Sequence, residues 1–383
     1  MNFRLTVLPL ALIVGIACQG TSSPIISAPS SSGWVMGYYV GYLANRQPIA
    51  GIDWAGLTHI AAGIILPKAD GSLGFDIGLD AVTRASLIQA AHDHKRKAIA
   101  MIGGADTGPQ WLTASSAANR SSFVNNLKNL VIKEGFDGLD LDWEPLEDSQ
   151  QPVLLSLTKE LRQALPNAIL TFPADGADNP NFPANRSFFA SLAPFVDQIN
   201  VMTYGMSGDY AGWKTWHSSP LYASGDAAAP TSIDFSLNAF LKAGIPAAKL
   251  GVGIGFYGLC YGSPATKPLE DMVGIRPGGA RLLASDNDIS YANIVTEYEP
   301  LGTKHWDGVA RVPYLSFAKP SGTKGCTYIS YENEQSILEK AQYVKDKRLG
   351  GVIIWNINEG YIAGRTPANP LLDVTRRAFL VRP

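Results

Sequence analysis

Eight short apolar runs, separated by longer amphipathic stretches, constrain the fold of this chain more than any other feature of its sequence. Strands that alternate with helices pair in parallel, because a parallel crossover needs a dozen residues or more. Eight such units predict an α/β fold, a (β/α)8 TIM barrel, rather than a doubly wound sheet. The predicted strands are Trp34–Val40, Leu57–Ile65, Ala98–Ile102, Gly138–Trp143, Ala168–Phe172, Gln198–Thr203, Leu250–Gly255 and Gly351–Trp355.

Between these runs, apolar side chains recur at the spacing of an amphipathic helix. Two segments show the pattern i, i+4, i+7 and i+8, one beginning at Phe123 and the other at Ile233. This period places the apolar side chains on one face of a helix, which can pack against a sheet. The pattern therefore supports helices outside a ring of strands.

One connection is too long to be a loop. It follows the seventh predicted strand and contains two further strand-like runs, Val309–Ser316 and Thr327–Tyr331. A structureless segment of about seventy residues is improbable in a compact domain. We therefore predict a small α+β subdomain inserted after the seventh strand, at about 258–330. Cys260 and Cys326 both lie in it, either as a disulfide or as two buried free thiols.

The N-terminal segment resembles an export signal. Residues 1–17 combine Arg4 with a short apolar core and small residues before Cys18. The position of Cys18 suggests a bacterial lipoprotein signal, and ordinary secretion with an incidental Cys18 is the alternative. Residues 18–33 are rich in Ser and Pro and predict a linker, which leaves 34–383 as the barrel domain. We expect an extracytoplasmic protein, either secreted or held at the bacterial outer membrane or cell surface only through a lipid on Cys18.

Composition excludes several classes of protein. A hydrophobic share of 46% excludes disorder for most of the chain. The formal net charge of -2 lacks the basic excess expected of a general nucleic-acid binder. The 5 His and 3 Cys form no metal-ligand spacing, so we expect no metal site.

The segment Phe136–Glu144, FDGLDLDWE, carries the strongest chemical signal. Side chains alternate along a strand, so Asp140, Asp142 and Glu144 share one face, about 6.6 Å apart along the strand. In a parallel barrel the intervening apolar residues face the helices, so the acids point inward. Three carboxylates in a barrel interior cannot all be ionised cheaply, and at least one pKa should be raised, as an acid working near neutral pH requires. A solvated or calcium-binding acidic edge is the alternative, and the apolar flanks disfavour it.

These residues also carry a family resemblance. The octapeptide DGLDLDWE, which starts at Asp137, resembles the DxxDxDxE signature of the glycoside hydrolase family 18 chitinases. The resemblance extends over about residues 34–355. Other matching segments are Gly37-Tyr38-Tyr39, Leu57-Thr58-His59-Ile60, Ile102-Gly103-Gly104, residues 198–204 (QINVMTY), residues 253–258 (GIGFYG) and residues 350–355 (GGVIIW).

The resemblance implies a retaining chitinase that cleaves β-1,4-linked N-acetylglucosamine polymers without metal or cofactor. Glu144 would be the general acid and base, while the substrate's own acetamide supplies the nucleophile. Asp142 would orient that acetamide, and Asp140 would hold the proton that lets Asp142 change partners. Tyr204 would donate a hydrogen bond to the acetamide. Asp137 has the opposite parity on the strand and is expected to be structural.

The same resemblance implies a set of substrate contacts. Trp355 would form the floor under the sugar in subsite −1, with Met202 lining the acetamide pocket. Tyr38 is a further pocket tyrosine. The remaining expected contacts are Trp143, Gly104 and Tyr257. Four loop tryptophans could extend the cleft or serve in packing: Trp111, Trp213, Trp216 and Trp306.

The sequence departs from the family pattern at three positions. Gly205 follows Tyr204 where the family commonly has an Asp that contacts the sugar, and Met101 replaces a Ser on the third strand. Pro145 directly follows Glu144, where a Tyr-Pro pair is frequent. Two rival functions follow: an endo-β-N-acetylglucosaminidase acting on N-glycans, and a lectin-like protein that binds chito-oligosaccharides without cleaving them. In each case we expect a monomer.

Overall fold

The computed structural model describes residues 33–176, 186–210, 212–223, 231–274 and 277–381. The predicted export signal, Cys18 and all but the last residue of the predicted linker lie outside the described residues. Within them the chain forms fourteen strands: β1 Trp34–Val40, β2 His59–Pro67, β3 Leu73–Phe75, β4 Lys97–Gly104, β5 Gly138–Trp143, β6 Ile169–Asp175, β7 Gln198–Met202, β8 Leu250–Gly255, β9 Tyr257–Tyr261, β10 Leu282–Ser290, β11 Thr303–Asp307, β12 Val312–Ser321, β13 Cys326–Ser330 and β14 Gly351–Trp355.

The helices of the described residues lie mainly between the strands of the first sheet. They are α1 Ala81–Asp93, α2 Gly108–Ala114, α3 Arg120–Glu134, α4 Gln151–Ala164, α5 Ser187–Leu192, α6 Ile233–Lys242, α7 Tyr291–Asn293, α8 Glu334–Asp346 and α9 Pro370–Phe379. The two predicted helical segments are α3 and α6, and their apolar faces are buried. Gly135 ends α3 at a φ of 88°, a left-handed conformation that glycine adopts without steric cost. No helix of the described part of the chain is long and apolar enough to cross a membrane.

Eight strands close into a parallel barrel, which confirms the predicted fold. Their order is β1-β14-β8-β7-β6-β5-β4-β2, and β2 pairs with β1 to complete the ring. The bounds of β1, β5, β8 and β14 match the prediction, whereas β4 runs two residues beyond it, through Gly103 and Gly104. These two glycines pair with Asp142 and Trp143 of β5, so the ladder extends to the edge of the acidic segment.

Apolar side chains form one layer inside the barrel wall and a second layer outside it. The inner layer consists of Met36, Tyr38, Ala61, Ile99, Met101 and Ile353, all buried. The outer layer is larger and lies between the strands and the helices. Alternation along each strand divides side chains between these layers, as the sequence pattern requires.

The insertion after the seventh barrel strand forms a second sheet. It has five antiparallel strands in the order β10-β9-β13-β12-β11. Its helical part is small: α7 continues into a single π-helical segment, Ile294–Tyr298. Cys260 of β9 and Cys326 of β13 form a disulfide, so of the two states that the sequence allowed the structure has the bridge.

Candidate active site

Strand β5 carries the three carboxylates into the barrel. Asp140 is fully buried, Asp142 is 3% exposed, and Glu144 follows the strand's last residue in a half-buried position. The intervening residues Leu139 and Leu141 belong to the outer layer. The predicted alternation therefore holds, and it places the acids in depth order, with Glu144 nearest the mouth of the barrel.

Asp140, the deepest acid, is held by two hydroxyl groups. The Tyr38 hydroxyl donates to Asp140 Oδ2 at 2.7 Å, and Thr171 Oγ1 of β6 donates to Oδ1. Burial raises the pKa of Asp140 to about 6, although both hydrogen bonds lower it by stabilising the charged form. Asp140 can therefore exchange a proton near neutral pH.

Asp142, the middle acid, has an unsatisfied oxygen. Burial is the main reason that its pKa lies well above the usual range, and the charges of Glu144 and Asp140 raise it further. Asp142 also donates a hydrogen bond to Glu144, which keeps the proton on Asp142. Its Oδ1 is buried and has no hydrogen-bond partner within the described residues. A ligand with a polar hydrogen at this point would remove that penalty.

Glu144 has the properties of a general acid. Burial raises its pKa to about 7, the negative charge of Asp175 adds to the shift, and the hydrogen bond from Asp142 opposes it. Asp175 lies at the end of β6 and lines the same cavity as Glu144, together with Met202 and Arg186. A carboxyl group with this pKa carries a proton at mildly acidic pH and can release it close to neutrality.

Aromatic side chains surround the acids at the C-terminal ends of the barrel strands. The Trp355 ring lies 5.3 Å from the Tyr38 ring, and the Tyr204 ring lies 6.1 Å from the Tyr257 ring. Burial, the Tyr257 hydroxyl and the charge of Glu144 all raise the pKa of Tyr204, so its hydroxyl stays protonated. The structure thus brings the predicted tyrosines and Trp355 together around the acid column.

Gly104 ends β4 beside the carboxylates. A Cβ atom built there would lie 3.9 Å from Asp142 Oδ2, and its φ of 119° disfavours any other residue. The same Cβ atom would lie 3.3 Å from the end of the Met101 side chain, so the backbone conformation and the close packing both favour glycine beside the Asp142 carboxylate.

Trp143 lines the cavity that contains Glu144, although its ring packs in the outer layer, and its assignment as a substrate contact stays a prediction. It alternates with Asp142 and Glu144, so it points to the outer layer, where it is 1% exposed. Its ring stacks on Trp111 at 5.3 Å, and its indole donates to Gln150. Two loop tryptophans, Trp111 and Trp216, are likewise fully buried packing residues. Trp213 and Trp306 stay partly exposed.

Two of the three departures from the family pattern, Gly205 and Met101, lie beside residues of the site. Gly205 has a φ of 59°, and a Cβ there would lie 2.8 Å from the Tyr257 hydroxyl, so this loop conformation favours glycine. Met101 is buried in the inner layer and pairs in register with Asp140. Asp140 stays in place because Tyr38 and Thr171 hold it.

Sequence reasoning missed Thr171, Asp175 and Asp286. Thr171 and Asp175 share one face of β6, and an inward-facing hydroxyl and an acid at a strand's C-terminal end are the same signals that identified the acids of β5. Asp286 accepts the Trp355 indole N–H at 3.0 Å from within the inserted subdomain. No sequence signal indicates that long-range contact.

Comparisons with known proteins identify the family of this chain. The sequence model of glycosyl hydrolases family 18 matches residues 34–360, and the chain belongs to that family. The chain is 27% identical over 323 residues to a protein of Drosophila melanogaster named probable chitinase 2, a match that covers 81% of this chain. It spans 64% of the length of the fly protein.

Solved structures share the fold. The Ostrinia furnacalis Group IV chitinase in complex with allosamidin superposes with a TM-score of 0.76 at 22% identity, covering 90% of this chain and 98% of the insect chain. Human YKL-39, described as a pseudo-chitinase with retained chitooligosaccharide binding, gives a TM-score of 0.76 at 19% identity, with 91% and 99% covered. The fold is therefore common to a chitinase and to a pseudo-chitinase.

Proposed function

We propose that this protein is a chitinase, which hydrolyses β-1,4-linked N-acetylglucosamine chains by a retaining, substrate-assisted mechanism. The observation that carries the proposal is the column of Asp140, Asp142 and Glu144, with raised pKa values and Glu144 at the mouth. Tyr204 and Trp355 border the same space. Family membership supports the general reaction class.

In the first step, Glu144 donates its proton to the glycosidic oxygen, and the bond from that oxygen to the anomeric carbon breaks. The carbonyl oxygen of the acetamide on the same sugar attacks the anomeric carbon and closes an oxazolinium ring. This ring carries a positive charge. A nearby carboxylate therefore stabilises it more than it stabilises the neutral substrate, which is the condition for catalysis.

Asp142 is the group placed to give that stabilisation. Its unsatisfied Oδ1 can accept the acetamide N–H, and its proton can pass to Asp140, whose pKa of about 6 suits a temporary acceptor. Asp142 then carries the negative charge that balances the oxazolinium. Tyr204 donates its hydroxyl to the acetamide oxygen. In the second step Glu144 acts as the base for water, and the product retains its configuration.

Cleavage assays with N-acetylglucosamine pentamer and hexamer test the proposal, with mass spectrometry of the products. We expect shorter oligomers. A glycoprotein carrying N-glycans serves as the second substrate, because the N-glycan rival shares the acids. Release of its glycans without cleavage of the oligomers would contradict the chitinase assignment.

A lectin-like function is the second candidate, and Gly205 is the observation that favours it. It lacks the carboxylate that the family commonly places after Tyr204. Calorimetric titration with the hexamer separates the candidates. Binding without any product between pH 4 and pH 9 would establish the lectin and overturn the enzyme.

We also propose that the protein is exported. The disulfide between Cys260 and Cys326 supports this, because such bonds persist in oxidising compartments. Lipid attachment at Cys18 is tested by palmitate labelling of the wild type and of Cys18→Ala. Equal labelling of the two would exclude the anchor and leave free secretion.

A further inference from the structure

Two carboxyl groups outside the acid column, those of Asp286 and Glu359, lie near each other and near Trp355. Asp286 belongs to β10 of the inserted subdomain, and Glu359 follows β14 in a short 3-10 segment, Ile357–Gly360. Asp286 Oδ1 accepts the indole N–H of Trp355 at 3.0 Å. The inserted subdomain and the barrel thus share a contact at the aromatic residue that borders the cleft.

Glu359 is fully buried, and the protein satisfies only one of its oxygens. The Asn356 side chain donates to Glu359 Oε1 at 3.0 Å, and the Glu359 backbone N–H donates back to Asn356 Oδ1 at 3.2 Å. Glu359 Oε2 is buried without a hydrogen-bond partner of ordinary geometry within the described residues. The Asp286 carboxylate is the charged group with the largest effect on it. An ionised Glu359 would therefore leave a bare oxygen close to a second negative charge, which is costly.

A single proton on Glu359 removes the repulsion between the two carboxylates and gives the unpaired oxygen a hydrogen bond. With Oε2 protonated, Glu359 becomes a donor toward Asp286, and Asp286 keeps a lone pair for the Trp355 indole. Burial and the neighbouring charge of Asp286 raise the pKa of Glu359 to about 10, in agreement with a protonated group. The Arg46 guanidinium lies near the pair, donates to the backbone oxygen of Asn287 and opposes these pKa shifts only in part.

We propose that Asp286 is a positioning residue for Trp355, and that a proton shared with buried Glu359 keeps its carboxylate oriented toward the indole. Asp286 acts through Trp355 and does not itself touch the reacting atoms. The inserted subdomain thereby sets the orientation of the ring on which a sugar stacks. The inference rests on the proposed function only in assigning Trp355 to sugar binding.

The test uses the full chain labelled with 15N-tryptophan. The Trp355 indole resonance is assigned with Trp355→Phe and followed in Asp286→Ala, Asp286→Asn and Glu359→Gln. Asp286→Ala should move the resonance upfield and weaken hexamer binding about tenfold, the value of one hydrogen bond to a charged group. Asp286→Asn and Glu359→Gln supply an amide in place of the shared proton, so both should stay within about twofold of the wild type.

Gln150→Ala is the matched control. It removes the acceptor of the Trp143 indole, which lies in the outer layer, and should move that resonance without changing oligomer binding. Should Asp286→Ala fail to fold, deuterium exchange of the Trp355 indole proton in the wild type provides the test, with slow exchange expected.

An unchanged Trp355 resonance and affinity in Asp286→Ala would overturn the proposal, as would rapid exchange in the wild type. A loss in Asp286→Asn as large as that in Asp286→Ala would do the same. The resonance and its exchange do not depend on turnover, so a protein that binds or cleaves nothing refutes the proposed function without deciding the positioning of Trp355.

Discussion

Two aspartates of the β5 segment, Asp137 and Asp140, have pKa values shifted in opposite directions. Asp137, just before the strand, accepts hydrogen bonds from Lys97, from His92 and from the Ala98 backbone N–H. Although burial raises its pKa, these bonds lower it more, and the net shift is downward. Asp140, three residues later, is fully buried inside the barrel, and burial raises its pKa to about 6.

The opposite pKa shifts follow from the face of the strand on which each aspartate lies and from its depth in the barrel, since the residue type is the same. Asp137 lies at the N-terminal end of the strand, within reach of the Lys97 ammonium group and the His92 imidazole. Asp140 and Asp142 face an interior that offers hydroxyl groups and other acids. Barrel enzymes place chemistry at the C-terminal ends of their strands and stability at the other end. We therefore expect substitutions in the inner column to affect turnover, and substitutions of Asp137 to affect stability.

The largest effect is expected for Glu144→Gln. The amide cannot donate a proton to the leaving group, so turnover of the hexamer should fall by about 10³-fold. Thermal unfolding should be unchanged or slightly improved, because the substitution removes an acid whose charged form is disfavoured by burial and by Asp175. Turnover close to the wild-type rate, measured on folded protein, would remove Glu144 from the acid role.

Asp137→Ala should lower the stability of the protein rather than its turnover. Loss of three hydrogen bonds to a charged group should lower the free energy of unfolding by about 1 to 3 kcal/mol, with turnover at moderate temperature preserved. Because folding lowers the pKa of Asp137, its stabilisation is present above the ordinary Asp pKa and is lost as pH falls through the lowered value.

Urea unfolding at pH 7 and at pH 3 checks the Asp137 prediction, and the difference between variant and wild type should shrink at pH 3. Asp93→Ala is the control, since this acid accepts an exposed hydrogen bond from Gln89 and its loss should change stability by less than about 0.5 kcal/mol. A loss of turnover in Asp137→Ala without a loss of stability would break the proposed division between the two ends of the strand.

The smallest effect is expected for Asp175→Asn. The charge of Asp175 raises the pKa of Glu144, so the variant should lower it. The alkaline limb of the pH–rate profile should then move to lower pH, by less than about one unit because solvent screens the interaction. Asp148→Asn changes another acid of the same cavity and should leave the limb in place. A shift toward higher pH in Asp175→Asn would contradict the electrostatic account of Glu144.

Much of this arrangement could be predicted from the sequence, because it depends on local periodicity. The bounds of β5 and the inward direction of Asp140, Asp142 and Glu144 follow from alternation along one strand. The same rule places the Trp143 ring on the outer face, where it packs against Trp111. Alternation could also have identified Thr171 on β6, where a single hydroxyl interrupts an apolar inner face.

Other parts could not be predicted, because they depend on contacts between distant segments. The Trp355 indole reaches Asp286, which is 69 residues away in sequence and lies in a sheet whose strand order no local pattern encodes. The state of Cys260 and Cys326 required the pairing of β9 with β13. No local pattern indicates that Gly205 has a left-handed conformation or that it lies against the Tyr257 hydroxyl.

The anomeric form of the first products tests the central claim most directly, because it reports the path of the reaction at the anomeric carbon. Purified protein is mixed with the N-acetylglucosamine hexamer, and proton NMR resolves the reducing ends before mutarotation. We expect products that are predominantly β-anomers, since the acetamide attack and the later attack of water each invert the anomeric centre. Products that begin as α-anomers would contradict the substrate-assisted role given to Asp142 and Glu144.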